Sequence, residues 1–290
     1  MIIGISGKAQ SGKDTVGKII QYLIACSKHP QNKPTIEIYL KRSFQYNNAI
    51  NISGFKTQKF ADKVKDIVCL LINCDKEQLE DETFKNTELG EEWTKFYLSH
   101  YKLITEENSE GRVSPYFDSY EQTLIYKREM NYLGAIASSN IQEQKMTPRL
   151  LMQLVGTDCG RYIIHPNLWL NSLFINYKKT FTGLDVANHF VKSDGTSMEL
   201  KYPNWIITDL RFPNELKAIK DRRGITIRVN RETKFSYDGL KDMISDTIIE
   251  QHPSETALDD ATFDYSINNN DTIEKLVEQV KGILIKEKLL

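Results

Sequence analysis

The chain reads as an α/β protein with a parallel sheet flanked by helices. It opens on MIIGIS, a short β-branched run bounded by glycine, as a buried parallel strand should be. From Lys13, apolar residues recur at Val16, Ile19, Ile20, Leu23 and Ile24, the spacing of one helical face. Near the other end, WIITD (205–209), a helix over Asn214 to Arg222, Gly224 and ITIRV (225–229) form a strand-helix-strand unit whose crossover should be right-handed.

The remaining elements follow in order. The first helix stops at the HPQNKP break, and TIEIYL (35–40) and KTQKF (56–60) read as strands. Ala61 to Ile72 repeats the helical pattern at Val64, Ile67, Val68, Leu71 and Ile72. Residues 76–146 are polar, rich in Glu, Asn and Tyr, and read as a largely helical insertion over the core, with helical faces around Trp93 to Tyr101 and Tyr120 to Leu133. Thr147-Pro148 is an N-cap and first-turn pair for a helix ending at Gly156, and another helix is expected from Pro166 to Tyr177. VANHFVK and SMELKY flank Ser193 to Thr196 as a β-hairpin decoration. Residues 231–262 read as a lid-like segment, FDYSI (263–267) as the last strand, and Ile273 to Leu284 as a closing helix. A single domain over residues 1–290 accommodates all of this.

Composition removes several function classes. With 40% hydrophobic and 27% charged residues the chain has the makeup of a globular protein, which excludes a disordered or fibrous one. Lys plus Arg number 38 against 39 Asp plus Glu, so no global basic field holds a polynucleotide. Cys26, Cys69, Cys74 and Cys159 form no C-x-x-C pair, which points to free thiols in a reducing compartment. No apolar run reaches signal-peptide or membrane-spanning length, so a cytoplasmic protein without a membrane partner is expected.

Gly7-Lys8-Ala9-Gln10-Ser11-Gly12-Lys13 matches G-x-x-x-x-G-K between a strand and an amphipathic helix, where a phosphate-binding loop must lie. Glycines let backbone N–H groups converge on phosphate oxygens, the helix N-terminus adds positive potential, and the lysine reaches the β- and γ-phosphates. A tight turn with a solvated lysine is the plainer alternative. The hydroxyl usually found after that lysine is displaced by Asp14 to Thr15, which leaves open whether Thr15 meets Mg²⁺ directly or through water.

Asp209 ends an apolar strand at the sheet edge where nucleotide chemistry belongs, and could hold Mg²⁺ or orient the attacking oxygen, or simply serve a βα turn. Arg211 follows as a phosphate-neutralising cation or a structural ion pair. Asp62 and Lys65 sit in the first turn of a helix after a strand, and Thr157, Asp158 and Arg161 gather at a helix end with Arg149 one to two turns earlier. His252 to Glu255 lie before the last strand, and Arg231 stands where a cation could close over phosphate.

Taken together, SGKAQSGKDT, FADKVKD, LLMQLVGTDCGR with Trp169 downstream, IITDLRFPNE, IRVNR, HPSE and FDYSINN resemble, in order, the phage-type deoxynucleoside monophosphate kinases. Segments 76–146 and 181–203 have no counterpart in that pattern. The resemblance implies a P-loop nucleoside monophosphate kinase-like core, transfer of the ATP γ-phosphoryl group to a deoxynucleoside monophosphate with Mg²⁺, and a homodimer. On this reading Gly7, Ala9, Gln10, Ser11, Gly12, Lys13, Asp14 and Thr15 bind ATP, with Thr15 and Asp209 toward the metal. Lys13, Arg161, Asp209 and Arg211 serve transfer. Asp62, Lys65, Arg149, Thr157, Asp158 and Arg161 surround the acceptor, and Arg231, His252, Ser254 and Glu255 form the lid. A switch GTPase is excluded by the lack of an N/T-K-x-D motif, and an Asp-Glu ATPase by Leu210 after Asp209. A phosphomevalonate or dephospho-coenzyme A kinase and a non-catalytic nucleotide-binding regulator are the rival readings.

Overall fold

A computed structural model describes residues 1–31, 34–41, 53–99, 116–117, 122, 124–125, 140–181, 200–232 and 256–290. It divides into two compact units, Met1–Asp62 with Asn167–Leu290, and Lys63–Pro166. Among the described residues no helix is long and apolar enough to cross a membrane.

The first unit is built on a five-stranded, all-parallel sheet. Its strands are β1 (Ile2–Ser6), β2 (Phe55–Gln58), β8 (Asn204–Leu210), β9 (Ile225–Asn230) and β10 (Tyr265–Asn268), in the spatial order β10-β9-β1-β8-β2. β1 is central, with Ile3 opposite Ile206 on one side and Ile225 on the other. Every residue of β1 is buried, which explains why the run is apolar without alternation.

One face is covered by α1 (Lys13–Lys28) and the closing helix α8 (Ile273–Lys286). Ile19, Ile20 and Ile24 pack there with Ile3, Ile5, Ile227, Val280 and Leu284. Full burial of such aliphatic side chains is worth about 1.5–3 kcal/mol each. On the other face α7 (Pro213–Asp221) approaches Gly4 so closely that a Cβ there would lie 2.5 Å from Ile219 Cδ1. The α6 helix (Leu168–Phe174) brings Phe174 against Trp205, ring centroids 6.1 Å apart.

TIEIYL is a helix, not a strand: α2 spans Ile36–Lys41. The Thr35 hydroxyl accepts the Ile38 N–H at 3.4 Å, and Tyr39, 5% exposed, packs on Tyr22 at 5.2 Å. An N-cap and one buried aromatic outweigh the alternation of Ile36, Ile38 and Leu40, and Ile38 is left exposed.

The second unit begins within α3 (Asp62–Ile72), the helix expected there. Of its apolar residues Val64 and Val68 are buried, whereas Leu70 and Leu71 are 85% and 50% exposed. Val68, Leu79, Met146 and Leu151 form this unit's core. Residues 78–93 supply the short helix α4 (Glu82–Lys85) and two 3₁₀ turns.

The helical face expected around Trp93 to Tyr101 is instead a strand, β3 (Lys95–Ser99), between β4 (Tyr116–Phe117) and β5 (Asn140–Gln144) in an antiparallel sheet. KFYLS is a β-favouring run that finds a partner on both sides. Most of Tyr120 to Leu133 lies outside the described residues, as does the Ser193 to Thr196 turn. VANHFVK also lies outside them, and the described pairing of Leu200–Lys201 (β7) is with Thr180–Phe181 (β6).

Gly156 is no helix stop. Thr147 caps α5 (Pro148–Gln153) as expected, but the chain runs on without a break as a π-helix over Leu154–Ile164. A Cβ at Gly156 would stand 3.6 Å from Val64 Cγ1, so the glycine faces a close neighbour on α3.

Candidate active site

The loop between β1 and α1 owes its path to its glycines. At Gly7, φ is 156° and a Cβ would fall 2.5 Å from both Ser11 Oγ and the Val229 carbonyl. At Gly12, φ is 97° and a Cβ would fall 2.4 Å from Asn269 Nδ2. With no Cβ at these two turns, backbone N–H groups can approach a phosphate. The Lys13 ammonium donates to the Gly7 and Lys8 carbonyls at 2.7 and 2.6 Å, which holds its charge over the loop. Ser11 is 3% exposed and its buried hydroxyl has no hydrogen-bond partner among the described residues. Such an orphan fits a loop that receives oxygen-rich groups. Ala9 and Gln10 are exposed on the loop, and Thr15 is half-buried in the first turn of α1.

Asp209 sits at the C-terminal end of β8 at 9% exposure. Its two carboxylate oxygens accept the Phe60 and Ala61 N–H groups at 2.9 and 2.8 Å. Burial pushes this carboxyl above its ordinary value, against the opposing pull of those N–H groups and of the Arg211 and Lys59 charges. Asp14, on α1, accepts from the Thr208 hydroxyl at 2.6 Å and faces the Lys59 ammonium at 3.1 Å. Partial burial pushes the Asp14 carboxyl up, but Lys59, Thr208 and Lys13 outweigh it and hold it below its ordinary value.

Arg211 is half-buried, and its N–H and that of Phe212 donate to Glu215, a carboxylate 1% exposed that anchors the start of α7. Asp62 is the first residue of α3. Arg231 reaches the loop, donating to the Gln10 carbonyl at 3.4 Å. The first unit therefore carries Lys13, Asp14, Thr15, Asp62, Asp209, Arg211 and Arg231 at or beside the C-terminal ends of its strands. His252, Ser254 and Glu255 lie outside the described residues.

Lys65, Arg149, Thr157, Asp158 and Arg161 belong to the second unit. Thr157 and Arg161 are buried side chains of the π-helix, at 6% and 8% exposure, while Asp158 is exposed. Lys65 pairs with Glu80, and Arg149 pairs with Glu82 and donates to Asn86 at 2.9 Å. A π-helix is rare and tends to mark a functional segment, and nothing in the sequence signals one.

Several participants escaped the sequence reading. Lys59 and Thr208 engage Asp14, and Asn269, directly after β10, donates to the Ser11 carbonyl at 2.9 Å. Arg228 joins Ser6 to Asp259, which also pairs with Lys8 at 3.4 Å. The available signal was position: polar residues that end an apolar strand, as Asp209 does.

Among the described residues no group of three or more His, Cys, Asp and Glu side chains could hold a metal. Mg²⁺ is commonly held through substrate phosphates and water with few protein ligands. The Thr15 hydroxyl and the remaining acceptor capacity of Asp209 are the groups that would contribute.

A parallel sheet whose central strand feeds a glycine-shaped, lysine-closed loop defines a P-loop kinase-like protein. The chain belongs to the deoxynucleotide monophosphate kinase family, whose profile matches residues 1–280, and it is accordingly a kinase, a transferase enzyme. It is 24% identical over 268 residues to the deoxynucleoside-5′-monophosphate kinase of Escherichia phage T5, covering 89% of this chain and 85% of that one. It is 31% identical over 138 residues to an Acanthamoeba polyphaga mimivirus protein provisionally named a deoxynucleotide monophosphate kinase, covering 46% of this chain and 59% of the other. The family displaces the phosphomevalonate, dephospho-coenzyme A and regulator readings.

Proposed function

We propose that the protein transfers the γ-phosphoryl group of ATP to a deoxynucleoside 5′-monophosphate, giving the diphosphate and ADP. The observation that carries this reading is the Gly7–Lys13 loop, with glycines at its two positive-φ turns and a lysine held over it. The family and the name of the phage T5 relative support the acceptor class.

In this reading the backbone of Gly7 to Gly12, Lys13 and Thr15 bind the donor. Lys65, Arg149, Thr157, Asp158 and Arg161, with Asp62, bind the acceptor monophosphate. An acceptor phosphate oxygen attacks the γ-phosphorus as the bond to the β-bridging oxygen breaks. Lys13, Arg161 and Arg211 offset the charge that spreads in that transition state. Mg²⁺, when bound, supplies further charge neutralisation on the donor phosphates, with Thr15 and Asp209 on the protein side. Arg231 with His252, Ser254 and Glu255 would close over the phosphates and exclude water.

The formal net charge of -1 supports small nucleotide substrates over a polynucleotide. The reading includes a homodimer acting in the cytoplasm, that of a host cell if the chain is viral. The deciding experiment is an ADP-release assay with ATP, Mg²⁺ and a panel of ribo- and deoxynucleoside monophosphates. Turnover with one or more deoxynucleotides is the expected result, and ATP hydrolysis indifferent to every monophosphate would overturn it.

A further inference from the structure

Asp14 stands where phosphate-binding loops usually carry a hydroxyl, and a carboxylate beside the donor phosphates would meet like charge. Its contacts lead elsewhere. The Asp14 oxygens lie 3.1 and 3.2 Å from Lys59 Nζ, and Oδ1 also accepts the Thr208 hydroxyl at 2.6 Å. Thr208 precedes Asp209, whose oxygens hold the Phe60 and Ala61 N–H groups at 2.9 and 2.8 Å. Three consecutive residues, Lys59, Phe60 and Ala61, are therefore gripped by two carboxylates, one from α1 and one from β8. Thr208, bonded to Asp14 through its hydroxyl, is the chain neighbour of Asp209. The residue that follows is Asp62, the first of α3.

We propose that Asp14 is a positioning residue for the acceptor side, holding the β2-to-α3 turn in place through Lys59, and not a ligand of the donor phosphates. This rests on the acceptor assignment above. It explains why a residue within the donor-loop signature is acidic: although the Asp14 side chain is 60% exposed, both of its oxygens are turned to Lys59, 24% exposed, and not to the nucleotide. Because α1 also carries Lys13, the contact ties the start of that helix to the acceptor turn.

The test uses the full chain with Asp14→Ala, Lys59→Met, the double variant, and Lys59→Arg. Calorimetry would measure the Kd of each of the four common deoxynucleoside monophosphates alone and of a non-hydrolysable ATP analogue alone. Amide hydrogen exchange would be followed at Phe60 and Ala61. Expected are faster exchange at those amides, a rise of about tenfold in monophosphate Kd, and a change in analogue Kd of less than about twofold. The double variant should lose clearly less than the sum of the two single losses, since the Asp14–Lys59 pair is common to both while Thr208 and Asp209 each keep a separate tie to one partner, and Lys59→Arg should stay near wild type. Loss confined to the ATP analogue, or additive losses in the double variant, would return Asp14 to the donor side. If the wild type binds no monophosphate, the acceptor assignment itself fails. Unchanged exchange at Phe60 and Ala61 in the variants would by itself refute the positioning role.

Discussion

Lys13 holds two loop carbonyls with the ammonium that the proposed function assigns to the donor phosphates. Lys13→Ala should lower kcat by about 10² to 10³ through loss of one aimed charge. Steady-state kinetics on a variant whose circular dichroism matches wild type checks this, and near-normal turnover would contradict the donor-loop assignment. Asp209 is a sharper case, because both of its oxygens accept backbone N–H groups. Asp209→Asn turns one acceptor into an NH₂ facing a donor, and should cost about 1–3 kcal/mol in urea unfolding. Arg161 is buried on the π-helix, and Arg161→Lys should raise KM for the monophosphate more than KM for ATP, since an ammonium cannot reproduce the planar fork. At this scale the sequence announced residues whose chemistry is tied to a motif, such as Lys13. Asn269 and Lys59 act through three-dimensional proximity to Ser11 and Asp14, which no spacing in the chain encodes.

Helices and strands with a long apolar pattern were legible because burial of one face decides them, as for α1 and α8. The errors fell where tertiary partners outvote local preference. TIEIYL alternates like a strand yet is held helical by the Thr35 cap and Tyr39, while the segment after Trp93 becomes a strand because two neighbours pair with it. Two glycines separate backbone necessity from mere tolerance. Gly12 has a positive φ, and a Cβ there would also displace the Asn269 amide, so Gly12→Ala should destabilise by about 1–3 kcal/mol and impair ATP binding. Gly282 is exposed within α8 with nothing within 4 Å of its would-be Cβ, so Gly282→Ala should stabilise by roughly 0.5–1 kcal/mol and leave activity unchanged. Thermal melting of both variants, with kinetics, distinguishes them.

For the molecule as a whole, the second unit leaves Leu70 and Leu71 of α3 and Tyr162 and Ile163 of the π-helix at least half exposed, apolar surface on two of its elements. If the proposed homodimer uses it, wild-type protein should sediment as a dimer and Leu70→Glu should shift it toward monomer at the same concentration, with melting little changed. A dimer untouched by that substitution would place the interface elsewhere. A different consequence follows from the central place of β1. Its neighbours, β8 and β9, are made only after residue 203, so Ile3 has no strand to pair with until Trp205 to Ile227 have been synthesised. At about 5–20 residues per second on the ribosome, the most apolar strand of the core therefore waits tens of seconds for its partners. The phosphate loop, among the first segments translated, is among the last to acquire its shape, and a nascent or prematurely released chain carries the motif without the ability to bind nucleotide.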